Sequence, residues 1–415
     1  MSIPFRPISI SLSPNVEKDD VKLALRTMLK PWIWKGGKDV LLLENRFREY
    51  LKAKHAISFN SGRSALMAIL KNLGLREGDE ILSQAFTCNA SVNPVIWLKL
   101  KPVYVDCSDD FNMDTEDLKR KITPKSKVLI IQHTFGNPAE MDELLEIAEA
   151  NNLIIIEDCA HSLGSEYKGK KTGTFGKASF FSFSRDKVIS SVYGGMAVTN
   201  DDNLAERIRK ENVSFPGLGW IFQQLLHPVL LSYLILPVYN FVDLGKAFLV
   251  FSQALHILSK AVHWKEKRGE RPSYFPKKLP NVLAKLALNQ LEKLDKFNNH
   301  RKKIADYYED FLKESSFVLP EISSSAKPVF LRYAVKHKKA HEIIYEAWNK
   351  HNILIGDWYT SPIAPEDTSL EKMQYVSGSC PNAERLSKIT LNLPTHINIK
   401  EGELERISNF LNKYK

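Results

Sequence analysis

Between residues 56 and 200 the chain alternates short β-branched apolar runs with stretches whose apolar residues recur at helical spacing. The runs at 56–59, 80–83, 102–105, 128–132, 153–157, 178–183 and 195–199 read as strands, and the stretches at 65–73, 91–98, 115–121 and 141–150 as helices. Strands separated by helices require crossover connections, so this region predicts a mostly parallel sheet with helices on its faces. From 282 to 312 apolar positions at helical spacing face a charged side, which predicts one long helix or two. The segments 329–335, 341–351 and 389–411 then suggest a smaller α+β domain around a short sheet. The fold class read from the pattern is α/β, a large domain with a mostly parallel sheet followed by a smaller C-terminal α+β domain.

The middle of the chain breaks this rhythm. No Lys, Arg, Asp or Glu occurs from Asn212 to Val242, although the chain as a whole carries a net charge of +10. The expected division is therefore 1–212 for the large domain with its N-terminal arm, 213–272 for an apolar helical insertion, and 273–415 for the smaller domain. A membrane-spanning helix needs about 20 uninterrupted apolar residues, and Pro228, Pro237 and Asp243 are expected to cut the insertion into shorter pieces. Two readings stay open for residues 218–262. A helical hairpin could lie in a membrane interface, with Lys260, Lys265, Lys267, Arg268 and Arg271 on anionic lipid. Alternatively, it could be buried against a second subunit or another protein.

With 415 residues, 44% of them hydrophobic, the chain can bury a large core and form about two domains. Its cysteines, Cys88, Cys107, Cys159 and Cys380, show neither disulfide-framework nor zinc-ligand spacing, so no metal is expected and a reducing compartment fits. The start lacks a basic segment followed by an apolar one, which argues against a secretory signal. A cytoplasmic location follows, with the inner face of the membrane as an added site if the insertion meets lipid. Lys and Arg are scattered rather than gathered with stacking aromatics, which disfavours nucleic acid.

Candidate chemistry collects at the carboxyl ends of the expected strands, where open α/β sheets bind ligands. Asp158 and His161 follow the apolar run 153–157; the aspartate could cap a following helix or keep a pyridinium nitrogen protonated. Gly62, Arg63 and Ser64 sit at a strand-to-helix turn whose free N–H groups suit a phosphate, and Ser182 could add a hydroxyl. Phe86 offers a flat surface for an aromatic ring. Lys187 lies between an apolar strand and the Gly194-Gly195 turn, where partial desolvation would yield the neutral amine that condenses with an aldehyde. The glycine turn lacks the GxGxxG spacing of a dinucleotide site.

The order of these motifs resembles the DegT/StrS-like sugar aminotransferases, fold-type I enzymes that use pyridoxal 5'-phosphate (PLP). The resemblance runs from Trp34-Lys35-Gly36-Gly37 to Leu393-Pro394-Thr395-His396, and its most specific parts are 157–161 and 182–196. It implies that Lys187 bonds the cofactor aldehyde and shuttles the proton, that Asp158 holds the ring nitrogen, that His161 sits near the ring and Phe86 stacks on it. Gly62, Arg63, Ser64 and Ser182 would surround the phosphate. It further implies an amino-acid donor such as glutamate, a keto-sugar acceptor linked to a nucleotide, surface-polysaccharide or amino-sugar biosynthesis, and a homodimer. The family's dehydratases carry a histidine in place of the lysine, so Lys187 points away from them. Two departures stand out. The family has a small hydroxyl residue where this chain has Arg63, and Pro276 and Lys278 occupy the places of an Asn and an Arg, the former helping to hold the neighbouring subunit's phosphate. Arg63 and Pro276 also support the alternative of a non-catalytic relative, docked to membrane or partner and regulatory in role.

Overall fold

A computed structural model describes residues 6–415. Its centre is a seven-stranded sheet built from β1 (His55–Phe59), β2 (Glu80–Gln84), β3 (Lys101–Val105), β4 (Ser126–Gln132), β5 (Ile154–Asp158), β6 (Ala178–Ser182) and β7 (Gly195–Thr199). The strand order is β1-β7-β6-β5-β4-β2-β3, and only β7 runs antiparallel to its neighbours. All seven strands fall where the apolar runs place them. Residues such as Leu82, Leu129, Ile130 and Ile156 are buried because helices cover both faces of the sheet.

Register decides what meets at the carboxyl edge. Asp158 at the end of β5 lies opposite Gln132 of β4 and Phe180 of β6, while Gly195 at the start of β7 lies between Phe59 and Ser182. The β1 turn thus passes directly over Gly195. A Cβ at that position would come 2.3 Å from the Ser61 carbonyl carbon and 2.4 Å from the Gly62 nitrogen, so only glycine lets the turn approach so closely.

The stretch 282–312 forms two helices, Asn281–Leu291 and Leu294–Leu312. They lead into the smaller unit, where β8 (Arg332–Lys336) pairs antiparallel with β9 (Thr390–Pro394) and helices Ala340–Lys350 and Glu401–Leu411 complete a separate apolar core. The N-terminal arm departs from the expected division. Ile8 and Ser9 pair in parallel with Ile353 and Leu354, so the arm adds a strand to the smaller unit rather than to the large one.

The insertion is also continuous where its prolines were expected to break it. Helix Leu218–Leu230 runs on through Leu231–Ile235 and Leu236–Val238, giving a helical run of 21 residues that carries no Asp, Glu, Lys or Arg. Pro228 lies inside the helix, and the wider turn at Leu231–Ile235 accommodates the interruption. Of its most apolar stretch 44% is buried in the protein: Ile221 and Leu225 join the main core, and Leu231, Ile235 and Leu236 pack with Tyr239 and Leu258. Each fully buried leucine or isoleucine is worth about 1.5–3 kcal/mol, which holds this helix against the body. A second helix, Leu244–Ala254, lies outside it and leaves Val250 and Phe251 exposed.

Candidate active site

A cavity of about 530 Å³ opens at the carboxyl edge. It is lined by Gly62, Arg63, Asp158, His161, Ser182 and Lys187, six of the eight residues singled out from the sequence. The remaining two do other work. Ser64 is fully buried, its N–H donating to Ser61 Oγ at 3.0 Å and its hydroxyl to Asn60 Oδ1 at 2.7 Å, so it fastens the turn instead of facing the cavity. Phe86 is fully buried against Phe111, with ring centroids 5.4 Å apart, and lies edge-on to Tyr359. Its backbone turns at φ 65°, and the following Thr87 and Cys88 line the cavity in its place. The expected stacking role for Phe86 is therefore corrected to a core role.

The motif 157–158 divides its two carboxylates between the two sides of β5. Glu157 is buried and accepts N–H groups from Gly173, Phe175 and Gly176 at 2.6–2.9 Å, which anchors the loop before β6. Asp158 accepts the Ala160 N–H at 3.0 Å and the Ser91 hydroxyl at 2.9 Å. No helix follows it, so the helix-cap reading falls. Burial pushes its pKa upward, the pull of these two donors, of Lys187 and of His133 notwithstanding. A buried carboxylate in that state is matched to a cationic partner.

Lys187 is held in a turn after β6, its N–H donating to the Ser184 carbonyl and its own carbonyl accepting from the Asn15 side chain. Its Nζ lies 3.0 Å from His161 Nε2 and 4.2 Å from the centroid of the Trp358 ring. Burial lowers its pKa, with Asp186 opposing and Arg332 adding to the shift. His161 is driven well below the ordinary imidazole value, chiefly by burial and further by Lys187 and Arg332. Its Nδ1 accepts the Phe135 N–H at 3.3 Å, and a neutral imidazole that accepts at Nδ1 carries its proton on Nε2. That N–H then donates to Lys187, whose nitrogen must offer a lone pair. The network itself favours the free-base amine.

Arg63, where a small hydroxyl was expected, is buried and pairs with Glu266; it also donates to the Ala261 carbonyl at 3.1 Å and lies 4.5 Å over the Phe275 ring. Lys277 donates to Ser214 and Lys278 lies over Phe215, so neither lines this cavity. Sequence reasoning missed Ser91, Gln132, Trp358 and Tyr359, and the wall formed by Ala261 and Val262. Gln132 ends a strand already read as such and was findable from that edge. Trp358 and Tyr359 come from an irregular segment with no periodicity to flag it.

The residues present fit PLP. The Gly62 and Arg63 N–H groups open a helix whose N-cap is Ser61, a Cβ on Gly62 would close to 3.2 Å on Ser182 Cβ, and a buried carboxylate and a neutral-leaning lysine share the same space. A phosphate, a pyridine nitrogen and an aldehyde each find their chemical complement here.

The sequence profile of the DegT/DnrJ/EryC1/StrS aminotransferase family matches residues 14–412. The chain belongs to that family and is a PLP-dependent aminotransferase. It is 32% identical over 304 residues to GDP-perosamine synthase of Escherichia coli O157:H7, covering 73% of this chain and 70% of that one. It is 27% identical over 398 residues to GDP-perosamine synthase of Caulobacter vibrioides, covering 95% of both. The fold matches Helicobacter pylori PseC, an aminotransferase involved in the biosynthesis of pseudoaminic acid, with a TM-score of 0.74 at 24% identity over 99% of both chains.

Proposed function

We propose that this chain transfers an amino group from an amino acid, with glutamate the preferred donor, to a nucleotide-linked keto sugar destined for surface polysaccharide or another amino sugar. The observation that carries it is the single cavity joining the Lys187 amine, the Asp158 carboxylate and the Gly62–Ser182 cradle, in a chain of the sugar aminotransferase family. Bound PLP supplies an electron sink for the carbanion formed when the donor loses its α-proton. Asp158 would hold the ring nitrogen, and Gly62, Arg63 and Ser182 the phosphate. Lys187 Nζ, already biased toward its neutral form, takes the α-proton and returns it to the product side. His161 restrains that nitrogen through Nε2–H, and Trp358 covers it from water. The keto sugar takes the amino group by the same steps in reverse, which gives ping-pong kinetics. Incubating purified protein with glutamate and a set of nucleotide-linked keto sugars tests the reading: an amino sugar with release of 2-oxoglutarate supports it, and no amino product from any of them contradicts it.

The protein is also proposed to act in the cytoplasm as a homodimer, as the family resemblance implies, with the insertion as a contact at the inner membrane face. What supports the membrane contact is the exposure of Val250, Phe251, Leu255 and Trp264 in the insertion, with Lys265 and Arg268 over the Trp264 ring. Sedimentation with anionic vesicles that Phe251→Ser abolishes would support it, and a concentration-dependent dimer lost by the same substitution would assign the surface to a subunit instead.

A further inference from the structure

The returning limb of the insertion, residues 259–266, meets the active site through Ser259 to Val262 and Glu266, while Trp264 stays on the surface. Ala261 and Val262 form part of the cavity wall. Three anchors hold them there, all reaching residues that flank the phosphate turn or Lys187. Arg185 donates to the Ser259 carbonyl at 2.7 Å and to its hydroxyl at 2.9 Å. Tyr193 donates its hydroxyl to the Lys260 carbonyl at 2.6 Å. Arg63 donates to the Ala261 carbonyl and forms an ion pair with Glu266, whose side chain is fully buried. Glu266 also accepts the His263 N–H at 2.8 Å, and its carbonyl accepts from Asn93 at 3.1 Å. The carboxylate thus ties the helix that opens at Gly62 to the limb, and the backbone carbonyl of the same residue ties the limb to the helix Asn89–Trp97.

We infer that Glu266 is a positioning residue, and that by fixing Arg63 it seats residues 261–262 as a wall that encloses the phosphate end of the cofactor site with this chain's own insertion. The chemistry favours this arrangement. A guanidinium at a helix N-terminus would otherwise add an unmatched buried charge to an already positive end. Pairing with Glu266 neutralises it, and leaves the Gly62 and Arg63 N–H groups as the donors that meet a phosphate. The insertion is then part of the catalytic domain at one end and a surface hairpin at the other.

The inference rests on the cofactor reading above, and cofactor affinity separates the two. The measurement is a titration of apo-protein with PLP, followed by absorbance and by equilibrium dialysis, on wild type, Glu266→Gln, the double variant Arg63→Met with Glu266→Leu, and Val262→Phe. The expected result is tight binding by wild type and affinity weakened about ten-fold or more both by Glu266→Gln and by the double variant, which loses the ion pair together with the Arg63 bond to the Ala261 carbonyl. Val262 is partly exposed, so Val262→Phe tests the wall without touching the ion pair; it is expected to weaken binding while the melting temperature stays that of wild type. Unchanged affinity in folded Glu266→Gln, or in Val262→Phe, would overturn the inference. Absence of binding by wild type would overturn the cofactor reading instead.

Discussion

Replacing Asp158 by asparagine separates an electrostatic role from a structural one. The side chain makes two hydrogen bonds, from the Ala160 N–H at 3.0 Å and from the Ser91 hydroxyl at 2.9 Å. Asparagine can keep its oxygen on the fixed Ala160 N–H and turn its amide toward Ser91, whose hydroxyl rotates to accept. The cost to the fold is then about one ordinary hydrogen bond, roughly 0.5–1.5 kcal/mol. What the substitution removes is the anion. If that anion holds a protonated ring nitrogen, its loss costs the transition state about 2.7–4 kcal/mol, or about 10²–10³-fold in rate, the scale on which a preorganised charge-stabilising group acts. A single-turnover assay with glutamate, following the cofactor spectrum, measures this step without the sugar half-reaction. The expected outcome is a rate lower by that factor, with a melting temperature within a few degrees of wild type. A rate within a few-fold of wild type would show that Asp158 serves only its local turn, and the assignment would fail.

Three further outcomes follow from the same geometry. His161→Leu removes the Nε2–H that engages Lys187, so the pH at which the lysine of the apo-protein reacts with aldehydes should move upward; no shift, or a downward one, would refute the tautomer argument. His161 and His227 are both held well below the ordinary imidazole value by burial, with Arg185 adding to the effect at His227. A lowered folded value means that the unfolded chain binds more protons, so stability is full above about pH 6.5 and falls as pH drops below it, by up to about 1.4 kcal/mol per unit and group. Among the described residues neither ring nitrogen of His227 has a hydrogen-bond partner, so His227→Leu should flatten this acid slope in thermal melts, and an unchanged slope would count against it. Gly195→Ala forces a Cβ to 2.3 Å from the Ser61 carbonyl carbon; loss of PLP binding or of folding is expected, and wild-type affinity would contradict the close packing of the turn.

Much of the fold was legible because strand and helix periods are local. Ile154, Ile155 and Ile156 announce a strand buried on both faces, and Asp158 at its end is placed at the ligand edge by that fact alone. The position of Phe86 was not legible, since one residue of register in a turn decides whether an aromatic faces the cavity or the core. Here Thr87 and Cys88 pair with Ile363 and Ala364, a contact between residues hundreds apart, and that pairing turns Phe86 inward. Arg63 and Glu266 are equally remote in sequence, so the tie between the insertion and the site could not be read from either. The prolines of the insertion misled for a related reason. Proline destabilises an isolated helix, yet Pro228 lies on the buried side of one that tertiary packing holds in place.

The most direct measurement is where PLP attaches. Reduction of the cofactor-loaded protein with borohydride, followed by proteolysis and mass spectrometry, should find the cofactor mass on the peptide containing Lys187, and Lys187→Ala should lose both the adduct and the absorbance at the visible edge. A cofactor bound without any adduct at Lys187, or an adduct on another lysine, would contradict the account.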